Sequence, residues 1–241
     1  MYGLIGYPLS HSFSQKYFEE KFLREGVQEK YAIFPLEKIE DLTILFQQYA
    51  DLKGLNVTIP YKKSIIPFLD KLQEDAQKIG AVNCIQFLNG QKIGYNTDWL
   101  AFKTTLVPLL KPWHTHALIL GSGGAAQAVK YALDNLEIKN LIVSRKPQLS
   151  QIAYEKIDTE LLKQNLLIVN TTPLGMYPNI EAMPMFPTQL LSKKHLVYDL
   201  IYNPENTLLM QEASKKGAIV KNGYDMLVTQ AELGWKIWNS Y

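Results

Sequence analysis

Leu118-Ile119-Leu120-Gly121-Ser122-Gly123-Gly124-Ala125-Ala126 carries the most structural information in the chain. Its apolar start, with His116 and Ala117 before it, has the length of a buried strand. A glycine turn follows, and residues 125–136 have helical periodicity. Gly121, Gly123 and Ala126 fit the G-x-G-x-x-G/A spacing of a dinucleotide-binding turn. Each position has a physical reason. Gly121 permits the tight turn, Gly123 lets the backbone approach a pyrophosphate, and the small Ala126 lets helix and strand pack closely. Ser122, Gly124 and Ala125 complete a helix N-terminus whose free N–H groups and positive dipole end suit phosphate. The same turn also suits close packing with no ligand, so the strand–turn–helix context matters.

That context continues downstream. Residues 140–144, 166–170, 196–200 and 218–221 read as strands, and residues 206–216 as a helix. Such alternation predicts a parallel, doubly wound sheet. The second strand selects the dinucleotide. An NAD site wants an acid about 20 residues after the glycines, for the ribose 2′-OH. Here the strand ends in Ser144-Arg145-Lys146, a hydroxyl and two cations. These suit a 2′-phosphate, and the planar fork of Arg145 can also stack on adenine. NADP is therefore preferred over NAD. The missing acid also disfavours S-adenosylmethionine.

Upstream, residues 2–6, 31–34 and 55–58 read as strands, and residues 16–24 and 39–49 as helices. Residues 84–88 and 92–95 flank Asn89-Gly90, a type I′ hairpin signal. Residues 224–238 form an amphipathic helix. The expected domains are 1–99 and 100–223, with the 224–241 helix free to return to the first. The 241 residues suit one large domain or two modest ones. Lys plus Arg total 25 against 23 Asp plus Glu, which gives no electrostatic reason to expect nucleic acid. The N-terminus lacks a basic and apolar signal pattern, and no apolar run is long enough to span a bilayer. With Cys84 the one cysteine, no intrachain disulfide can form, which fits a reducing, cytoplasmic setting. His114 and His116 are spaced for one strand face, but no Cys or carboxylate cluster accompanies them, so no metal site is expected.

Four stretches before residue 99 carry more polar groups than a strand or turn needs: His11-Ser12-Phe13-Ser14, Asn56 to Lys62, Gly80-Ala81-Val82-Asn83 and Gly94 to Asp98. Alternation along the third strand puts Asn56 and Thr58 on one face, opposite Leu55 and Val57. They end the strand at the edge where open α/β sheets bind ligands. Lys62 follows after the turn at Pro60. Asn56, Thr58 and Lys62 make a ledge of amide, hydroxyl and ammonium groups suited to a small polyol acid, and Ser12 and Ser14 could serve its carboxylate. Each residue also has a plain reading. Ser14 could cap a helix, Asn56 and Thr58 could end a strand, Asn83 could satisfy a loop, and Lys62 could be a solvated charge.

Taken in order, these stretches resemble the shikimate dehydrogenase family. The signatures are His-Ser-x-Ser, Asn-Val-Thr-x-Pro-x-Lys, Gly-Ala-Val-Asn and Gly-x-Asn-Thr-Asp, followed by the glycine turn. Next come Asn170-Thr171-Thr172-Pro173-Leu174-Gly175-Met176 and Asp199-Leu200-Ile201-Tyr202-Asn203-Pro204, and last Asn222-Gly223-Tyr224-Asp225-Met226 running on to Gln230 and Ala231. The resemblance implies an N-terminal α/β substrate domain and a C-terminal Rossmann-like NADP domain, with the active site in the cleft. It implies NADP-dependent reduction of 3-dehydroshikimate to shikimate in aromatic amino-acid biosynthesis, by a monomer or homodimer. Ser12, Ser14, Asn56, Thr58, Asn83, Asp98, Tyr202 and Gln230 would hold substrate, and Lys62 and Asp98 would flank the reacting oxygen. Beside the glycine turn and Ser144-Arg145-Lys146, Thr171, Leu200, Gly223 and Met226 would contact the cofactor. The chain departs from the family at Gln15, where proline is usual. It also lacks a second arginine in residues 147–152. A quinate/shikimate enzyme using NAD and a non-catalytic dinucleotide-binding regulator are the alternative readings.

Overall fold

A computed structural model describes residues 1–9 and 13–240. The chain forms two compact units, Met1–Thr97 with Ala231–Tyr241, and Asp98–Gln230.

The first unit contains β1 (Tyr2–Gly6), α1 (Phe13–Glu25), β2 (Tyr31–Pro35), α2 (Leu42–Gln48), β3 (Gly54–Val57), β4 (Lys71–Leu72), α3 (Glu74–Ile79), β5 (Cys84–Leu88) and β6 (Gln91–Tyr95). The sheet runs β2-β1-β3-β5-β6-β4. Its first three strands are parallel, and β5 runs antiparallel to both β3 and β6. The β5–β6 turn places Asn89 at φ 51° and Gly90 at φ 75°, the left-handed pair that a type I′ hairpin requires. Residues 39–49 are not one helix. A 3₁₀ turn over Ile39–Asp41 precedes α2, which begins without a side-chain cap.

Both faces of this sheet are covered, as parallel strands demand. Ile5, Leu55, Val57 and Ile85 face one cluster, with Leu42 and Leu45 of α2. Tyr2, Leu4 and Cys84 face the other, against Phe18 and Phe22 of α1. That second face is completed by the end of the last helix, α8 (Tyr224–Trp238). The Trp238 indole stacks on Tyr2 at 4.9 Å and donates to the Ile85 carbonyl at 2.9 Å. A Cβ at Gly54 would collide with that indole. Lys21 of α1 is buried and pairs with Glu25 and Glu232, and the Tyr17 hydroxyl donates to Glu232.

The second unit contains α4 (Asp98–Leu106), β7 (His116–Leu120), α5 (Gly124–Asn135), β8 (Lys139–Val143), β9 (Gln151–Ile152), α6 (Thr159–Gln164), β10 (Leu167–Asn170), β11 (Leu196–Asp199), α7 (Leu208–Lys215), β12 (Ile219–Lys221) and the start of α8. Every strand pair is parallel. The order β12-β11-β10-β7-β8-β9 reverses direction between β7 and β10, which is the Rossmann strand order and its switch point. His114 does not share a strand face with His116. It lies buried in the turn before β7, where its Nδ1 accepts from the Lys111 N–H at 3.0 Å.

Gly54→Ala should lower unfolding free energy by about 1–3 kcal/mol, the usual cost of overpacking a rigid core. Urea unfolding should show a lower midpoint at unchanged slope. A variant within about 0.5 kcal/mol of wild type would mean that the indole is not seated there.

Candidate active site

In the first unit, three of the polar stretches meet at the end of β3. The Val57 N–H donates to the Asn83 carbonyl at 2.8 Å, and the Val82 N–H donates to the Lys62 carbonyl at 2.7 Å. Asn83 is buried, and its side chain is clamped to Thr97 at both ends. Its Nδ2 donates to the Thr97 hydroxyl at 2.9 Å, and its Oδ1 accepts from the Thr97 N–H at 2.7 Å. Asp98, buried as the first residue of α4, is the next residue in the chain. Thr58 and Lys62 are half-buried on the turn that follows β3. β3 ends at Val57, one residue short of Thr58. The turn instead starts there, with the Tyr61 N–H donating to the Thr58 carbonyl at 3.0 Å.

Ser14 departs from its plain reading, and Asn56 departs from the ledge. Helix α1 begins at Phe13, so Ser14 lies inside its first turn and is not the N-cap. Asn56 does not stand on an open ledge. It is buried, and its Oδ1 accepts from the Tyr31 hydroxyl at 2.8 Å. His11 and Ser12 lie outside the described residues.

In the second unit, the glycine turn has the geometry its sequence requires. Gly121 sits at φ 107°, and a Cβ there would meet the Thr171 hydroxyl at 2.8 Å. Gly123 has nothing within 4 Å of its Cβ position, so a ligand can reach its backbone. It is also the N-cap of α5 and offers no side chain, which leaves the helix N–H groups for an anion. Ala126 is fully buried, while Ser122, Gly124 and Ala125 are exposed or half-exposed. Strand register sets the next element beside this turn. The Gly121 N–H donates to Val143, and the Ser144 hydroxyl is 3.4 Å from that of Ser122. Arg145 and Lys146 follow, both exposed. The donors and the open approach at Gly123 fit a dinucleotide with an extra phosphate.

Leu200, Gly223 and Met226 form a second edge. The Gly223 N–H donates to the Ile201 carbonyl at 3.0 Å, and a Cβ at Gly223 would collide with the Leu200 carbonyl. Thr171 donates to the Leu120 carbonyl at 2.7 Å, and Met226 is buried. Burial raises the Tyr202 phenol pKa, and the Gln230 side chain donates to the Leu227 carbonyl at 2.9 Å.

One residue of this edge had no role assigned from sequence. Asp199 is fully buried at the end of β11, where its carboxylate accepts from Asn170 Nδ2 at 3.0 Å, the Ile201 N–H at 3.0 Å and the Thr207 hydroxyl at 2.7 Å. It ties the ends of β10 and β11 to the start of α7, and so fixes the Leu200–Ile201 backbone. A carboxylate closing an otherwise apolar strand was the available signal.

The family model for the shikimate dehydrogenase substrate binding domain matches residues 4–85. Shikimate dehydrogenase (NADP(+)) of Methanosphaera stadtmanae is 37% identical over 254 aligned positions, covering 98% of this chain and 89% of that protein. This chain belongs to the shikimate dehydrogenase family. Solved shikimate dehydrogenases share the fold along its length. The Aquifex aeolicus structure matches with a TM-score of 0.88 at 35% identity, covering 99% of this chain and 91% of that one. The Thermus thermophilus structure, in complex with NADP(H) and shikimate, matches with a TM-score of 0.88 at 29% identity, covering 99% and 92%. As in that family, an N-terminal substrate domain is joined to a Rossmann-like NADP domain.

Burial pushes the Asp199 carboxyl up to about 6, outweighing its three donors. A folded-state pKa above the unfolded value contributes stability at low pH that is lost as pH rises through the folded pKa. The window is therefore roughly pH 4–6, and the shift of about two units corresponds to on the order of 3 kcal/mol. Comparing wild type with Asp199→Asn removes the contributions of the other titrating groups. The wild-type advantage, measured by urea unfolding, should shrink from pH 4 to pH 7. A flat difference would mean that Asp199 is ionised throughout.

Proposed function

We propose that this protein catalyses the NADP-dependent interconversion of 3-dehydroshikimate and shikimate. The observation that carries this reading is the clamped end of β3. Asn83 and Thr97 lock the backbone there, with Thr58, Lys62 and Asp98 on the same or adjoining segments. A rigid ledge of hydroxyl, amide, ammonium and carboxylate groups suits a polyhydroxylated ring. The uncapped α5 N-terminus and Ser144-Arg145-Lys146 support the choice of NADP.

Bound NADP(H) supplies or accepts the hydride. The chain supplies the proton and the geometry. In reduction, the Lys62 ammonium donates a proton to the alkoxide that develops as the ketone is reduced, and its charge stabilises that oxygen. In oxidation, the Lys62 amine accepts the hydroxyl proton. Asp98 orients Lys62 and accepts a hydrogen bond from a substrate hydroxyl. Asn83, Thr58, Tyr202 and Gln230 fix the ring, and Ser12 and Ser14 receive its carboxylate. Gly223 and Leu200 present backbone groups to the nicotinamide, with Thr171 and Met226 beside them. Gly121 to Ala126 cradle the pyrophosphate, and Ser144, Arg145 and Lys146 bind the 2′-phosphate. The compartment is the cytoplasm, consistent with a lone thiol at Cys84.

Coenzyme reduction should be followed with shikimate and quinate, each against NADP and NAD. Turnover with shikimate and NADP well above the other pairs is expected. Equal rates with quinate or NAD would place the enzyme in a broader-specificity class. No turnover by folded, NADP-binding protein would overturn the reading.

Two variants test the roles. Lys62→Ala should lower kcat by about 10²–10⁴-fold, the range for general acid–base groups, with a much smaller change in shikimate KM. A near-normal kcat would remove Lys62 from proton transfer. Arg145→Ala should raise the NADP KM roughly 10- to 100-fold, matching loss of a charge-assisted bond worth about 1.5–3 kcal/mol. The NAD KM should stay unchanged, because NAD carries no 2′-phosphate. Equal effects on both coenzymes would assign Arg145 to adenine stacking alone.

A further inference from the structure

Asn170 ends β10, Asp199 ends β11, and the two are register partners. Both are fully buried. Their side chains meet, with Asn170 Nδ2 donating to Asp199 Oδ1 at 3.0 Å. Each also closes the segment that leaves its own strand. Asn170 Oδ1 accepts from the Thr172 N–H at 3.0 Å and the Thr172 hydroxyl at 2.7 Å. Asp199 Oδ1 accepts from the Ile201 N–H at 3.0 Å. These are two Asx-type turns side by side, each bonding its own backbone two residues on. Thr171 is the middle residue of one turn and Leu200 of the other. The Ile201 carbonyl in turn accepts the Gly223 N–H at 3.0 Å. One pair of side chains therefore stands behind all three backbone positions of this edge.

The two oxygens of Asp199 carry different loads. Oδ1 takes the donors of the paired turns. Oδ2 takes the Thr207 hydroxyl at 2.7 Å, and Thr207 is the N-cap of α7. An apolar pair of similar size could fill the same space, but it would leave the Thr172 and Ile201 N–H groups without these acceptors. Hydrogen bonds fix the orientation of a peptide, which packing alone does not.

We propose that Asn170 and Asp199 are positioning residues for hydride transfer, acting through Asp199 Oδ1 to set Thr171, Leu200 and Gly223 where the nicotinamide is held. Oδ2 serves the stability of α7. The inference rests on the proposed placement of the nicotinamide at Leu200 and Gly223. Being fully buried, neither side chain meets cofactor or substrate.

Three variants separate the two oxygens. Asp199→Ala removes both. Asp199→Asn keeps Oδ1 for Asn170 and Ile201, while its Nδ2 donates to the Thr207 oxygen. Thr207→Val removes the partner of Oδ2 alone. Two quantities are measured near pH 8, above the Asp199 pKa of about 6. One is the Kd of 2′-phospho-ADP-ribose, the part of NADP that lacks nicotinamide. The other is the single-turnover rate of NADP reduction by shikimate, counted per site that binds this fragment, so unfolded protein does not contribute. Asp199→Ala should slow that rate about 10²-fold, the cost of a misplacement of about 1 Å, with fragment Kd within about twofold. Asp199→Asn and Thr207→Val should stay within about threefold of the wild-type rate, and Thr207→Val should unfold at lower urea. A wild-type rate in Asp199→Ala, a fragment Kd that weakens in step with the rate, or a Thr207→Val variant as slow as Asp199→Ala would overturn the proposal. Should Asp199→Ala fail to fold, Thr172→Val gives a second reading, because it removes one of the two Thr172 donors to Asn170. Its rate should fall about threefold to tenfold at unchanged fragment Kd, and a wild-type rate would overturn the proposal. Wild type that binds the fragment but does not oxidise shikimate would refute the functional reading, which is a separate result.

Discussion

The Trp238 indole lies where a side chain on Gly54 would otherwise stand, and the first unit depends on that fit. A sheet with parallel strands must bury both faces, and the helices of residues 1–97 do not cover the second face by themselves. The end of α8 supplies the missing cover through Trp238, with Gln86 tying Ile237 and Ser240 down at 2.7 and 2.9 Å. The charged part of the same contact is Lys21 with Glu232. With this face closed, β3 and β5 are held rigidly, and the segments that leave them converge on Asn83 and Thr97.

The second unit solves a different problem. Its strands all end on one edge, and backbone there must approach a ligand without crowding. Gly121 and Gly223 provide the space, against Thr171 and Leu200. Asp199 provides stiffness, because one carboxylate gathers donors from three segments. Space and stiffness come from different residues, and only the first kind leaves a familiar spacing in the sequence.

Legibility followed the same division. The glycine turn and the Asn89-Gly90 hairpin were readable because each depends on local backbone freedom. Short elements such as β4, β9, α3 and α6 have too few residues to show a period. The alternation placing Asn56 opposite Leu55 and Val57 was correct, yet what lay over that face could not be known. It is Tyr31, Cys84 and Gly234, each distant from Asn56 in sequence. His114 misled because spacing from His116 implied a strand that begins only at His116. The Asn83–Thr97 clamp was hidden for the same reason as the Asn56 contacts, since hydrogen-bond partners separated along the chain carry no periodic mark.

The shared last helix also orders events during synthesis. The face formed by Tyr2, Leu4, Phe18 and Phe22 stays uncovered until Trp238 has left the ribosome. At translation rates of about 5–20 residues per second, the delay after residue 97 is on the order of ten seconds. The second unit, whose strands are contiguous in the chain, is synthesised within that interval. The N-terminal half of this enzyme therefore emerges first and closes last, and it is the part most in need of chaperone protection while it waits.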